Sequence, residues 1–154
     1  MEFRKKTPKV KVERLLEAIG SSRKVFNSAF FCAVEMGESK DFSNSQIGSR
    51  IISNGAFRNI DFSGSTVGEV VLQNVDAFRV DFSEAKIEKL KIENSRIIML
   101  DMSNSEFDME LIHSLIGILD AHKAKGRLRR VDTMTIYEEI SEAQIENNDD
   151  GNQT

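Results

Sequence analysis

Four carboxylates recur at a fixed interval in this chain of 154 residues: Asp41, Asp61, Asp81 and Asp101, followed two positions on by Ser43, Ser63, Ser83 and Ser103. A column of carboxylates could hold a cation, or could imitate the phosphates of a nucleic acid. Stacked at β-strand spacing, about 4.8 Å, like charges repel unless N–H groups or hydroxyls compensate them. The serines can supply that compensation, so a structural role is favoured over recognition. Other reactive groups are sparse. His113 and His122 are the only histidines, and neither has a Cys or paired carboxylate at metal-ligand spacing. Cys32 is the sole cysteine, which forbids an internal disulfide; it reads as a small core residue beside Phe30, Phe31 and Ala33 in a cytosolic protein. The chain has no phosphate-binding loop, no dinucleotide fingerprint and no nucleophile elbow. Since no acid, base, nucleophile and oxyanion donor converge, no enzyme, cofactor or metal is expected.

The carboxylates recur because the chain does. Residues 41–107 read DFSNSQIGSRIISNGAFRNI, DFSGSTVGEVVLQNVDAFRV, DFSEAKIEKLKIENSRIIML and DMSNSEF. Within these blocks every fifth residue is apolar: Phe42, Ile47, Ile52, Phe57, Phe62, Val67, Leu72, Ala77, Phe82, Ile87, Ile92, Ile97, Met102 and Phe107. A period of five is neither the 3.6 of a helix nor the 2 of a simple strand. It suits a coil with four short sides, each sending one large residue inward, whose twenty-residue circuits stack as a β-solenoid. Two positions before each large residue, Ser45, Gly55, Ser65, Val75, Ala85, Ser95 and Ser105, mostly small, alternate with the larger Arg50, Ile60, Val70, Val80, Leu90 and Leu100, giving a ten-residue sub-period. Arg50 is the misfit in that series, its head expected to reach solvent from an incomplete first circuit. Asn54, Asn74 and Asn94 fall in register as an amide ladder that stabilises the coil.

In this stretch the chain resembles the pentapeptide-repeat family, whose units read roughly Ala-Asp/Asn-Leu/Phe-Ser/Thr-x. "IDFSGS" at 60–65, "VDFSEA" at 80–85 and "LDMSNS" at 100–105 carry the likeness. The resemblance implies a mainly β fold, a right-handed four-sided β-helix, over residues 41–107. Function does not follow from it, because one fold serves several roles.

The flanks are expected to be helical. Residues 1–40 form a basic segment in which Thr7-Pro8 opens, and Gly20 closes, a capping helix with Val12, Leu15, Leu16 and Ile19 along one face. Residues 24–40, with Phe26, Phe31 and Met36 five apart, read as an extra circuit out of phase with the others. Residues 108–146 read as a C-terminal helical hairpin, from the amphipathic run Leu111, Ile112, Leu115, Ile116, Ile118 and Leu119, a break near Gly126, and a second helix capped by Asp132 or Thr133. Residues 147–154 read as a disordered tail. Some pentapeptide-repeat proteins carry a hairpin of similar layout before a membrane anchor. No run of eighteen uncharged apolar residues is present here, so membrane insertion is not expected.

These features favour a non-catalytic protein–protein interaction or scaffold module, cytoplasmic or at the inner face of a membrane. Its protein partner is not identified by the sequence, and self-association through an exposed coil face or the hairpin is a further expectation. The candidate partner surface is Ile51, Val71, Phe78, Ile98 and Met99, which point outward if the fifth positions point inward. Either the N-terminal segment or the hairpin folds over these residues, or they are free for a partner. The alternative function is a DNA-mimic inhibitor or protector of a type II topoisomerase, as in the quinolone-resistance members of the resembled family. A coil over 41–107 would span only about 16 Å, and its seven Lys/Arg against ten Asp/Glu leave a net charge of only −3, so nucleic-acid mimicry and nucleic-acid binding are not expected.

Overall fold

A computed structural model of the chain describes residues 26–150. The capping helix expected at 7–20 lies outside the described residues. A short helix α1 (Ser28–Glu35) leads into ten parallel strands: β1 (Glu38–Asp41), β2 (Gln46–Asp61), β3 (Thr66–Asp81), β4 (Lys86–Glu93), β5 (Arg96–Asp101), β6 (Glu106–Ile112), β7 (Leu115–Asp120), β8 (Lys125–Val131), β9 (Met134–Glu139) and β10 (Gln144–Asp150). Every strand pairs with one lying a circuit away, giving a parallel β-solenoid of about 6 turns.

The fifth positions form the interior. From Ile52 to Phe107 all are buried, while Phe42 and Ile47, on the first rung, are half-buried. Phe42, Phe62 and Phe82 stack ring on ring, with centroids 4.9 Å apart at each step. The ten-residue sub-period has a backbone cause. Asn44, Asn54, Gly64, Asn74, Glu84, Asn94 and Asn104 adopt φ between 51° and 70°, ending alternate sides with a left-handed corner. Asn and Gly tolerate that conformation best, which explains their recurrence. The intervening corners stay extended, and β2 and β3 each run sixteen residues through two of them and through one left-handed corner, at Asn54 and Asn74. Buried serines close the corners: the Ser65 hydroxyl donates to the Phe42 carbonyl at 2.6 Å and accepts from Ser45 N–H at 3.1 Å. We number the four quarters of each circuit as sides, the first centred on Phe62, the second on Val67, the third on Leu72 and the fourth on Ala77.

The expected helical hairpin over 108–146 is instead the continuation of the coil. Lys86 pairs with Glu106, twenty residues on, but Leu90 pairs with Met109, nineteen on. From there every partner is nineteen residues away: Asp101 with Asp120, Asp120 with Glu139, Lys125 with Gln144. One residue is lost between Phe107 and Leu111, which shifts the five-residue series and hides it. After that slip Leu111, Ile116 and Ala121 take the inward positions, all fully buried. His113, Lys123, Asp132 and Glu142 take the left-handed corners, with φ of 48°, 58°, 49° and 59°. The apolar run mimicked a helix because Leu111, Ile116 and Leu119 face inward whereas Ile118 faces outward beneath a cover. Gly126 breaks no helix; it sits in β8 against Phe107, where an added Cβ would lie 1.9 Å from the Phe107 carbonyl oxygen. Thr133 caps no helix; its hydroxyl accepts from Ser114 N–H and donates to the Val131 carbonyl. Residues 147–150 of the expected disordered tail pair with Leu128–Val131.

Residues 26–40, the described part of the expected circuit at 24–40, do not add one either. Asn27 caps α1, its side chain accepting from Phe30 N–H at 2.8 Å, and Phe26, Phe30 and Val34 are buried at helical spacing. Met36, the third member of the five-residue series, is 82% exposed. At Gly37 the chain passes so close to the fourth side that a Cβ would meet the Ala56 carbonyl oxygen at 2.4 Å; β1 then pairs with the end of β2.

Candidate interaction surfaces

The carboxylate column runs along the first side. Asp41, Asp61, Asp81 and Asp101 each accept from the backbone N–H two residues on, at 2.9, 2.8, 2.8 and 3.0 Å. The Ser43 and Ser103 hydroxyls donate to the same oxygens of Asp41 and Asp101. The Ser43 hydroxyl and N–H hold the Asp41 carboxyl below its ordinary range. Arg79 reaches Asp81 at 3.2 Å and Asp101 at 3.1 Å, neutralising the buried middle of the column. The series continues into Asp120, an extension the phase slip concealed. Burial pushes the Asp120 carboxyl up to about 6, helped by the charges of Asp101 and Glu139 and opposed by the His122 N–H. These carboxylates build turns. Among the described residues no group of three or more His, Cys, Asp or Glu could hold a metal ion.

The amide ladder lies at the third-side corner, where Asn74 donates to Asn54 at 3.2 Å. His113 and Asp132 continue it, Nδ1 to Oδ2 at 2.9 Å. His122 sits half a circuit away, at the first-side corner, with Nδ1 2.9 Å from the Ser141 hydroxyl. The two histidines therefore share no site. Cys32 is exposed rather than in the core, because α1 turns Phe30 and Val34 to the sheet and leaves Cys32 on its outer face.

The five candidate surface residues divide into two groups. Ile51 and Val71 are neighbours on the third side, Ile51 66% exposed and Val71 half-buried. Phe78, Ile98 and Met99 lie on the fourth side, where the N-terminal segment covers them: Ile98 and Met99 are buried and Phe78 half-buried in one cluster with Phe26, Phe30 and Val34. That cluster also holds Leu115, Ile118, Ile136 and Tyr137, which a helical reading of 108–146 could not align with it. Arg96 fastens the cover, bonding both Asp76 oxygens at 2.8 and 2.6 Å while its guanidinium lies 5.0 Å over the Phe30 ring.

Comparison of the chain with protein-family models, with curated proteins and with solved structures finds no match. Among the described residues, no helix is long and apolar enough to cross a membrane.

Proposed function

We propose that this chain is a non-catalytic protein–protein interaction or scaffold module, built on a β-helix of the pentapeptide-repeat type. One observation supports the reading above the others: the fourth side holds α1 through Phe30 and Val34, with Phe26 packed beside them from just before the helix. A stacked sheet of this kind offers planar surfaces on which helices or strands of another protein can lie. The third side carries the exposed apolar residue, Ile51, next to Val71. A single cysteine fits work in a reducing compartment such as the cytoplasm. DNA mimicry needs carboxylates on display, whereas Asp81, Asp101 and Asp120 are buried in turns.

Capture from source-cell lysate by the full chain, compared with Ile51→Glu, tests the reading. A protein retained by the parent and lost by the variant, with unchanged circular dichroism, is the expected result. A topoisomerase retained equally by both would replace the proposal with DNA mimicry.

A further inference from the structure

The two ends of the coil fit one another. β1 starts the first circuit on the fourth side, and β10 finishes the last on the third, so the spiral begins at the corner where it stops. Among the described residues, no strand pairs with the outer edge of β2 over residues 46–55, and β9 and β10 end the strand order at the other side. Open edges of this kind pair with further strands unless something blocks them.

The inward columns carry the match into the side chains. One column is headed by Lys40 and runs through Ile60, Val80, Leu100 and Leu119 to Glu138. Ile47 heads a second, which ends at Ile145; Phe42 heads a third, which ends at Ile140. A copy placed at the C-terminal end in the same register thus sets Lys40 on Glu138, Phe42 on Ile140 and Ile47 on Ile145. Lys40, which pairs with Glu38 in its own copy, meets Glu138, which pairs with Arg130 in its own, so the junction extends two ion pairs into one alternating network, and apolar groups meet apolar groups. Arg50 now lies 4.7 Å over the Phe42 ring, and its own column ends at Asn147, whose side-chain oxygen already accepts from Arg130 and offers its second lone pair to the guanidinium when the ring is covered.

We infer that a second copy of this chain docks head to tail, its 38–50 step on the first copy's 135–147 step, and continues the β-ladder. Head-to-head contact brings Lys40 and Arg50 of one copy against those of the other, and like charges oppose it. A head-to-tail contact does not close on itself, so it produces chains of copies rather than a dimer. The proposal goes beyond the interaction-module reading, since it uses the ends and leaves the sides free.

Cysteine pairs read the contact. Gln46 and Gln144 are exposed members of one column. Within one chain they stand five rungs apart, roughly 24 Å, but across the junction about 5 Å, inside the range of a disulfide. The full-length Gln46→Cys, Gln144→Cys variant in a Cys32→Ser background, mildly oxidised, is expected to give a non-reducing ladder of dimers, trimers and longer species. Each single cysteine variant stays monomeric, and adding Ile140→Asp removes the ladder with the melting curve unchanged. Monomers alone from the double variant would overturn the inference. Dimers from a single cysteine variant would overturn it in favour of symmetric contact. Ile51 also stands on the open edge of β2, so the capture experiment is scored on proteins other than this chain, and the two readings then fail separately.

Discussion

The first and last circuits of this coil meet the same problem with opposite chemistry. At the start, the interior is aromatic to its edge: Phe42 stacks on Phe62, and Arg50 lies over the outer ring. At the finish, the interior turns polar. Arg130 occupies the position that Leu111 holds one rung earlier, and it pairs with Glu138 and donates to Thr135 and Asn147. Glu138 also accepts from Thr135, and the Arg130 and Thr135 bonds hold its carboxyl below the ordinary range against the opposing effect of its burial. The first end keeps apolar contact and adds a cation above it; the last replaces that contact with an ion pair that stays partly solvated. An ion pair at the rim avoids the full desolvation cost that the same pair would incur mid-coil.

The comparison breaks most visibly in the middle, where neither device operates. Phe62 is fully buried between two rings, so Phe62→Asp places an unpaired charge in the core and is expected to unfold the coil. Phe42→Asp, on the half-buried first rung, is expected to fray that rung while the rest melts cooperatively. Far-UV circular dichroism with thermal melting separates the two outcomes; equal behaviour would mean the aromatic stack is not the structural centre. At the other end, Glu138→Ala removes the carboxylate that pairs with Arg130 and is expected to cost about 1 kcal/mol, since the pair is only partly buried. Hydrogen exchange should place that loss in β8 to β10.

The carboxylate column sharpens the contrast through pH. Asp120 titrates near 6 in the folded chain against an ordinary 3.8. Between those values the folded state keeps a proton that the unfolded state has released, so stability falls as pH rises and the loss is complete above about 6. Asp120→Asn removes the charge and keeps an acceptor for the His122 N–H. The variant is expected to melt higher than the parent at pH 7 and to match it below pH 3.8. A parent curve flat across that interval would count against the burial of this carboxylate.

Legibility in the sequence followed the constancy of the period. Residues 41–107 announced themselves because a side chain twenty positions on repeats both the chemistry and the register, and each fifth-position residue there lies in the core or packs against it. Past Phe107 one deletion moves the series by a residue, and a fixed-period reading then sees Leu111, Ile116 and Leu119 as a helical stripe. The positive-φ corners kept the beat without keeping the residue type: His113, Lys123 and Glu142 stand where Asn or Gly stood before. Side-chain identity therefore stopped reporting the backbone. The outward surface was legible only in part, because outwardness follows from the period whereas cover depends on where α1 lies. Ile51 and Ile98 occupy similar outward positions, yet one is exposed and the other buried under the helix.

Arg50 gives the smallest expected effect and the finest test of how the first end is closed. Its side chain occupies a column otherwise filled by Val70, Leu90, Met109 and Leu128, where an arginine would be costly if enclosed. At the first rung it is exposed, and a solvent-exposed guanidinium over an aromatic ring contributes about 0.5 kcal/mol. Arg50→Ala is therefore expected to lower the melting temperature only slightly, an effect that calorimetry resolves best at low salt. If the guanidinium acts through the ring, a double-mutant cycle with Phe42→Leu shows it: in the Phe42→Leu background, Arg50→Ala then changes nothing. A difference that persists without the ring would assign the contribution of Arg50 to the rim charges, Glu38 among them, and would make the two ends of the coil electrostatically alike after all.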